Sequence, residues 1–220
     1  MLLELQEASR VNTPRGVGIL RELIVSGILR PADRLDVGVL SERYELEPSD
    51  ISDALATLEK EGLITFLVDG PVIRQVSEEE TVAWLHKRMS LEPDVAEKLA
   101  AQLDNTISAI LGRHIDEQRV AVEDGDIVLF LDLTAKFHCD LATLAGFPMA
   151  AHFLERARDR MLMTGHKALP DESKLHECFD EHCDIVRSLN ERQPAAARAS
   201  MIRHLELTAK RLDVGEVSGG

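Results

Sequence analysis

Between Val17 and Ser77 the apolar residues fall into three short runs at spacings of three and four, and then the pattern changes. The runs are Ile19-Leu20-Leu23-Ile24, Leu35-Val39-Leu40 and Ile51-Leu55-Leu58. Such spacing sets each run on one face of a helix. Glu47-Pro48-Ser49-Asp50 opens the third of them: Pro and Ser suit the first turn and cap, and Asp50 suits the positive end of the helix dipole. Gly62 ends it. Two strand-like stretches, 64–68 and 72–76, then flank Asp69-Gly70, a hairpin signal. Three short helices followed by a β-wing predict a winged helix-turn-helix, whose third helix can enter the DNA major groove.

The 220 residues leave room for a second domain with its own core. Low aromatic content and abundant helix formers predict a mainly α protein. Ser77-Glu78-Glu79-Glu80 reads as a capping box that opens this second domain, so the expected division is 1–77 and 78–220. Helical patterns run from about Glu78 to Leu103, with Pro93 as a candidate kink or break, and from Asn105 to Glu123. Others run from Ile127 to Leu144, Met149 to about Met163, Glu172 to Leu189 and Gln193 to Leu212. Residues 1–12 read as a loose lead, Asn12-Thr13-Pro14 as a helix cap, 165–170 as loop and 213–220 as a frayed tail. No secretory leader and no bilayer-length apolar run is apparent, and Cys139, Cys178 and Cys183 lack CxxC spacing. These features predict free thiols in a cytoplasmic protein with no membrane partner.

The net charge of −14 argues against broad nucleic-acid affinity. Residues 1–76 alone carry eight Lys or Arg against thirteen Asp or Glu, and 47–61 carries five acids against Lys60.

The combination of Ile19-Leu20-Arg21-Glu22-Leu23-Ile24, the stretch 27–35, Leu40-Ser41-Glu42-Arg43-Tyr44, Ala54-Leu55 and the stretch 58–64 resembles the DNA-binding domain of GntR-family bacterial transcription regulators. The later pieces resemble the all-helical FCD effector domain of its FadR subfamily. They are Arg88-Met89-Ser90-Leu91-Glu92-Pro93, Phe137-His138-Cys139-Asp140-Leu141, Glu181-His182-Cys183-Asp184 and His204-Leu205. The resemblance implies a homodimeric regulator, working as a repressor on operator DNA and responding to a small carboxylate effector. It departs from the family in the recognition helix: where the family has Ser and two Arg, this chain has Glu47, Pro48 and Ser52. Arg34, Arg43, Ser49, Ser52 and Arg74 remain as candidate DNA contacts, with Arg15 and Arg21 as supplements. A regulator with altered operator contacts is the first expectation; a metal- or ligand-sensing protein-interaction module with lost DNA binding is the alternative.

His138, His182 and His204 stand where the FCD domain holds a metal, on three different predicted helices. Neutral imidazoles suit Zn, Ni, Fe or Mn. The family's fourth ligand is a carboxylate one turn before the first His, and here that position is Thr134, a candidate effector contact with Arg88. Spacing alone would read the three histidines as scattered core or surface residues. Arg88 and Glu92, at i and i+4, read either as a solvated ion pair or with Arg88 receiving the effector's carboxylate. His86, His114, His152, His166 and His176 read as surface or partly buried. A metal-dependent hydrolase is a third class, but no nucleophile motif or partnered base supports it, and the chain is expected not to be an enzyme.

Overall fold

The computed structural model describes residues 15–155, 157 and 172–213. The lead and cap expected before residue 15, the end of the fourth helical pattern, the 165–170 loop, His166 and the end of the tail lie outside them. The chain divides into two compact units, 1–75 and 76–220.

The first unit orders α1 (Arg15–Val25), α2 (Val37–Tyr44), α3 (Pro48–Lys60), β1 (Ile64–Leu67) and β2 (Gly70–Ile73). Leu20, Ile24, Leu40, Ile51, Leu55, Leu58, Leu63 and Ile73 are buried together at the ends of those periodic runs. Val39 is the exception: it is 60% exposed, because α2 is only eight residues long and buries a single face through Leu40. Gly16 lets α1 approach α3, since a Cβ there would lie 3.1 Å from the Asp50 carbonyl oxygen. Pro48 takes the first helical position of α3 and Glu47 the cap position, without a side-chain cap bond. Ser49 is therefore inside the helix rather than its cap.

The hairpin register pairs Ile64 with Ile73 and Leu67 with Gly70. The two-residue turn is thus Val68-Asp69, one residue earlier than Asp69-Gly70, and Gly70 takes φ +113°, which favours glycine. A feature absent from the periodicity is the segment before α2. The Leu35 amide donates to the Pro71 carbonyl, Ala32 to that of Ile73, and Ile73 back to that of Asp33. This backbone pairing anchors the wing to the start of the helix-turn-helix.

The second unit is helical throughout its described residues: α4 (Glu78–Gln102), α5 (Asn105–Glu123), α6 (Ile127–Leu144), a helical stretch at 148–155, α7 (Glu172–Asn190) and α8 (Pro194–Arg211). The Ser77–Glu80 capping box is formed in both directions. Pro93 does not break α4, which runs through it as one 25-residue helix; α8 packs chiefly along α4 and burial of Val95, Ala96 and Leu99 holds the turn that follows. The core collects Leu85, Leu99, Leu111, Phe137, Leu141, Ile185, Leu189, Met201 and Leu205 from α4 to α8. No helix among the described residues is long and apolar enough to cross a membrane.

Leu55 is almost wholly buried in α3, while Ala56 beside it is exposed. Leu55→Ala should lower the stability of the first unit by about 2–5 kcal/mol, and Ala56→Ser by less than about 0.5. Denaturant midpoints followed by circular dichroism check the contrast.

Candidate metal and effector centre

α6 supplies His138, α7 supplies His182 and α8 supplies His204. All three are buried, at 2% exposure or less. Their ring centroids stand 5.4 Å (His138–His182), 5.0 Å (His138–His204) and 4.7 Å (His182–His204) apart. One ligand nitrogen from each lies within 4.8 Å of the others. Residues 44 and 22 apart in sequence meet here because α6, α7 and α8 each turn an apolar face inward at those positions.

Each imidazole has an acceptor oxygen behind its Nδ1, and two of the three are hydrogen-bonded to it. His182 Nδ1 donates to Gln118 Oε1 of α5 at 2.6 Å. His204 Nδ1 donates to Glu181 Oε2 at 2.8 Å, and Arg211 grips the same carboxylate at 2.7 and 2.8 Å. His138 Nδ1 lies 2.6 Å from Glu92 Oε2 of α4, at ion-pair distance but not aligned as a hydrogen bond. An acceptor behind Nδ1 fixes the tautomer and leaves the Nε2 lone pair pointing away from it. His138 Nε2 and Thr134 Oγ1, one turn apart on α6, are both buried without a hydrogen-bond partner.

Burial dominates the electrostatics. It pushes His138 down to about 4, despite the nearby Glu92. It also pushes His182 well below its ordinary value, helped by the other two rings and Arg88, and lowers His204 in spite of Glu181. All three rings are therefore neutral near pH 7, the form that ligates metals. Burial would raise the two carboxylates, but their partners outweigh it. Arg88 and His138 hold Glu92 well below the carboxylate range, and Arg211 and His204 hold Glu181 down to about 2. The Cys178 thiol is pushed up to about 12 by burial, so it is protonated.

The donor set fits a divalent ion of the Zn, Ni, Fe or Mn class: three neutral imidazoles, two of them hydrogen-bonded from behind, with the ring nitrogens of His138 orphaned. Arg88 and Glu92 pair at i and i+4, but not in solvent. Both are buried, with Arg88 Nε and Nη2 on the carboxylate and its guanidinium 4.9 Å from the centre of the Trp84 ring. As placed, Arg88 orients Glu92, and Glu92 faces His138. His86, His152 and His176 are exposed. His114 is not a surface residue: it is buried, 2.9 Å from Asp140 and edge-on to Phe137, which itself packs on His138 and His182. Gln118 and Arg211 carry no site reading in the sequence; Cys178 is expected only as a free thiol, and Glu181 only as part of the FCD resemblance. Of these only Cys178 carried a local signal, because it sits one turn before His182.

In the first unit the exposed face of α3 presents Glu47, Ser49, Asp50, Ser52 and Asp53. Ser52 Oγ donates to the Pro48 carbonyl at 2.8 Å. Arg34 bonds the turn residue Asp69 at 3.0 Å, and Arg21 bonds Glu61 at 2.6 Å. Arg43 is exposed, 5.7 Å from the Tyr44 ring, and Arg74 is half-buried.

Residues 84–207 match the FCD domain. That is more than half of the chain. The chain belongs to the FCD-domain family. It is similar to the HTH-type transcriptional repressor RspR of Escherichia coli (strain K12), 23% identical over 189 residues, covering 86% of this chain and 83% of that one. It is also similar to the HTH-type transcriptional regulator YdhC of Bacillus subtilis (strain 168), 21% identical over 192 residues and 84% of each. Among solved structures, a GntR putative regulator from Rhodococcus sp. RHA1 shares the fold with TM-score 0.75 at 17% identity, covering 96% of this chain and all of that one. E. coli McbR/YncC does so with TM-score 0.74 at 16%, covering 90% and 95%. Both curated relatives are named as HTH-type transcription regulators, and the likeness to the two solved structures shows that the fold is shared.

The buried rings set a pH dependence. The unfolded chain takes up protons near the ordinary histidine value of 6.5 that His138 refuses until about 4. Stability therefore rises with pH across that window. Thermal melting of the metal-stripped protein should show Tm falling as pH drops from 6.5 towards 4, with His138→Phe flattening the slope. A wild-type profile flat across that range contradicts the neutral cluster.

Proposed function

We propose that this FCD protein is a cytoplasmic, homodimeric regulator of the FadR type that binds operator DNA through its first unit. In this reading it answers a small carboxylate through a metal held by His138, His182 and His204. The observation that carries the reading is three buried imidazoles brought together, two of them hydrogen-bonded from behind by Gln118 and Glu181 and the third with Glu92 at ion-pair distance. Orphaned or buried polar groups in a core cost stability, and an apolar bundle would not need them. Second-layer acceptors behind ligating histidines are what a metal centre requires.

When bound, the ion supplies a fixed positive charge to which an effector carboxylate can add as a further ligand. The protein's own groups do the rest. Glu92, itself held by Arg88, keeps His138 oriented; Arg211 holds Glu181 on His204. Thr134 offers a buried hydroxyl on the face of His138, where it can hydrogen-bond the effector. α6, α7 and α8 each contribute one ring, so His138, His182 and His204 would tie three helices together on holding an ion. That is a differential interaction able to favour one arrangement of the dimer over another. Arg34, Arg43 and Arg74, with Ser49 and Ser52, make the DNA contacts, most of them to phosphate.

A second reading is favoured by the acidic α3 face and by the Arg34–Asp69 pair, which already neutralises a candidate phosphate contact. There the protein keeps the fold and senses its ligand for a protein partner.

Fluorescence anisotropy of the purified protein with its own upstream DNA, at two salt concentrations and with and without chelator, tests the proposal. Selective binding that weakens with salt and changes on chelation is expected. Arg43→Ala should weaken it and reduce the salt slope by about one. Absence of selective binding at low salt would favour the second reading.

A further inference from the structure

Cys178 lies on α7 one turn before His182, buried, with its Sγ 4.0 Å from His182 Nε2. It also lies within 4.8 Å of a ligand atom of His204. His182 Nδ1 carries the proton that goes to Gln118, so Nε2 is an acceptor, and the Cys178 sulfur lies within reach of a lone pair suited to a metal. Zn–S bonds near 2.3 Å and Zn–N bonds near 2.0–2.1 Å at a tetrahedral angle separate S and N by about 3.6 Å. The observed separation is only a few tenths of an ångström longer.

Charge supplies the second argument. Three neutral imidazoles around a divalent ion leave two positive charges in a bundle core that already holds Arg88. Burying such charge unbalanced is costly. The two nearest carboxylates are committed: Glu92 to Arg88, and Glu181 to Arg211 and His204. On α6 the position one turn before His138 is Thr134, which has no acid to give. Cys178 holds the same one-turn relation to His182 that Thr134 holds to His138. It also stands beside two of the three histidines, His182 and, together with Glu181, His204, and it can become an anion without breaking an existing ion pair.

We propose that Cys178 is the fourth, anionic ligand of this metal centre, making it a Cys-His₃ site selective for borderline thiophilic ions such as Zn²⁺ and Co²⁺. This rests on the three-histidine reading above. On binding, the S–H bond breaks, its proton leaves to solvent and a metal–sulfur bond forms, so the bound ion keeps one net positive charge. Sulfur ligation disfavours Mn²⁺, whose preference is for oxygen donors.

The test is the absorption spectrum of the full-length, reduced protein loaded with Co²⁺. Wild-type protein should show visible d–d bands of a tetrahedral ion together with an intense near-ultraviolet sulfur-to-cobalt charge-transfer band. Cys178→Ser should lose the charge-transfer band and keep visible bands; Cys139→Ser and Cys183→Ser should keep both. Since the chain has three cysteines, retention in those two variants assigns the sulfur even if Cys178→Ser does not fold. Visible bands without a charge-transfer band in the wild type would overturn the Cys178 ligand and leave the three histidines standing. No cobalt bands at all would overturn the histidine site and Cys178 with it.

Discussion

The second unit depends on keeping three buried imidazoles neutral and aimed. His138, His182 and His204 sit within one core cluster that also buries Phe130, Phe137 and Leu205. A polar ring nitrogen in such surroundings needs a partner, and leaving one unmade costs about 1–3 kcal/mol. The helices answer this from the outside. Gln118 of α5, Glu181 of α7 and Glu92 of α4 each stand behind one ring, and the two acids are themselves held by Arg211 and Arg88. The chain of dependence runs from Arg88 through Glu92 to His138, and from Arg211 through Glu181 to His204. Bundle packing, ion pairing and the orientation of the imidazoles are therefore one network.

The first unit shows the reverse economy. Its apolar residues and its backbone pairing between 32–35 and β2 complete a winged helix-turn-helix. Its exposed face is short of cations. Fold and surface chemistry are separable here, because burial of Leu20, Ile51, Leu55 and Leu58 fixes α1 and α3 whatever stands at positions 47, 48 and 52. The same separation lets one scaffold change its partner without losing stability.

Most of the helices were legible in the sequence, since 3.6-residue periodicity and caps such as Ser77–Glu80 are local signals. The wing turn shifted by one residue because two-residue turns depend on register, which is set across strands. Val39 looked like a core residue because the run around it was too short to define a face. The meeting of His138, His182 and His204 was legible only through resemblance. Its braces were hidden because Gln118 lies 64 residues from His182 and Glu181 lies 23 from His204. The Arg88–Glu92 pair was visible, but its burial was not, because spacing is the same on either side of a helix. Cys178 reads only as a free thiol in the sequence, because paired-cysteine spacing is uninformative here and the informative neighbour is a histidine.

Calorimetric titration of the metal-stripped protein with Zn²⁺ tests the central claim most directly. The account predicts one saturable site per chain in the wild type, and an affinity weaker by about 10–100-fold in Gln118→Ala, where the ring of His182 loses its brace. Absence of saturable binding, or binding that Gln118→Ala leaves unchanged, would contradict it.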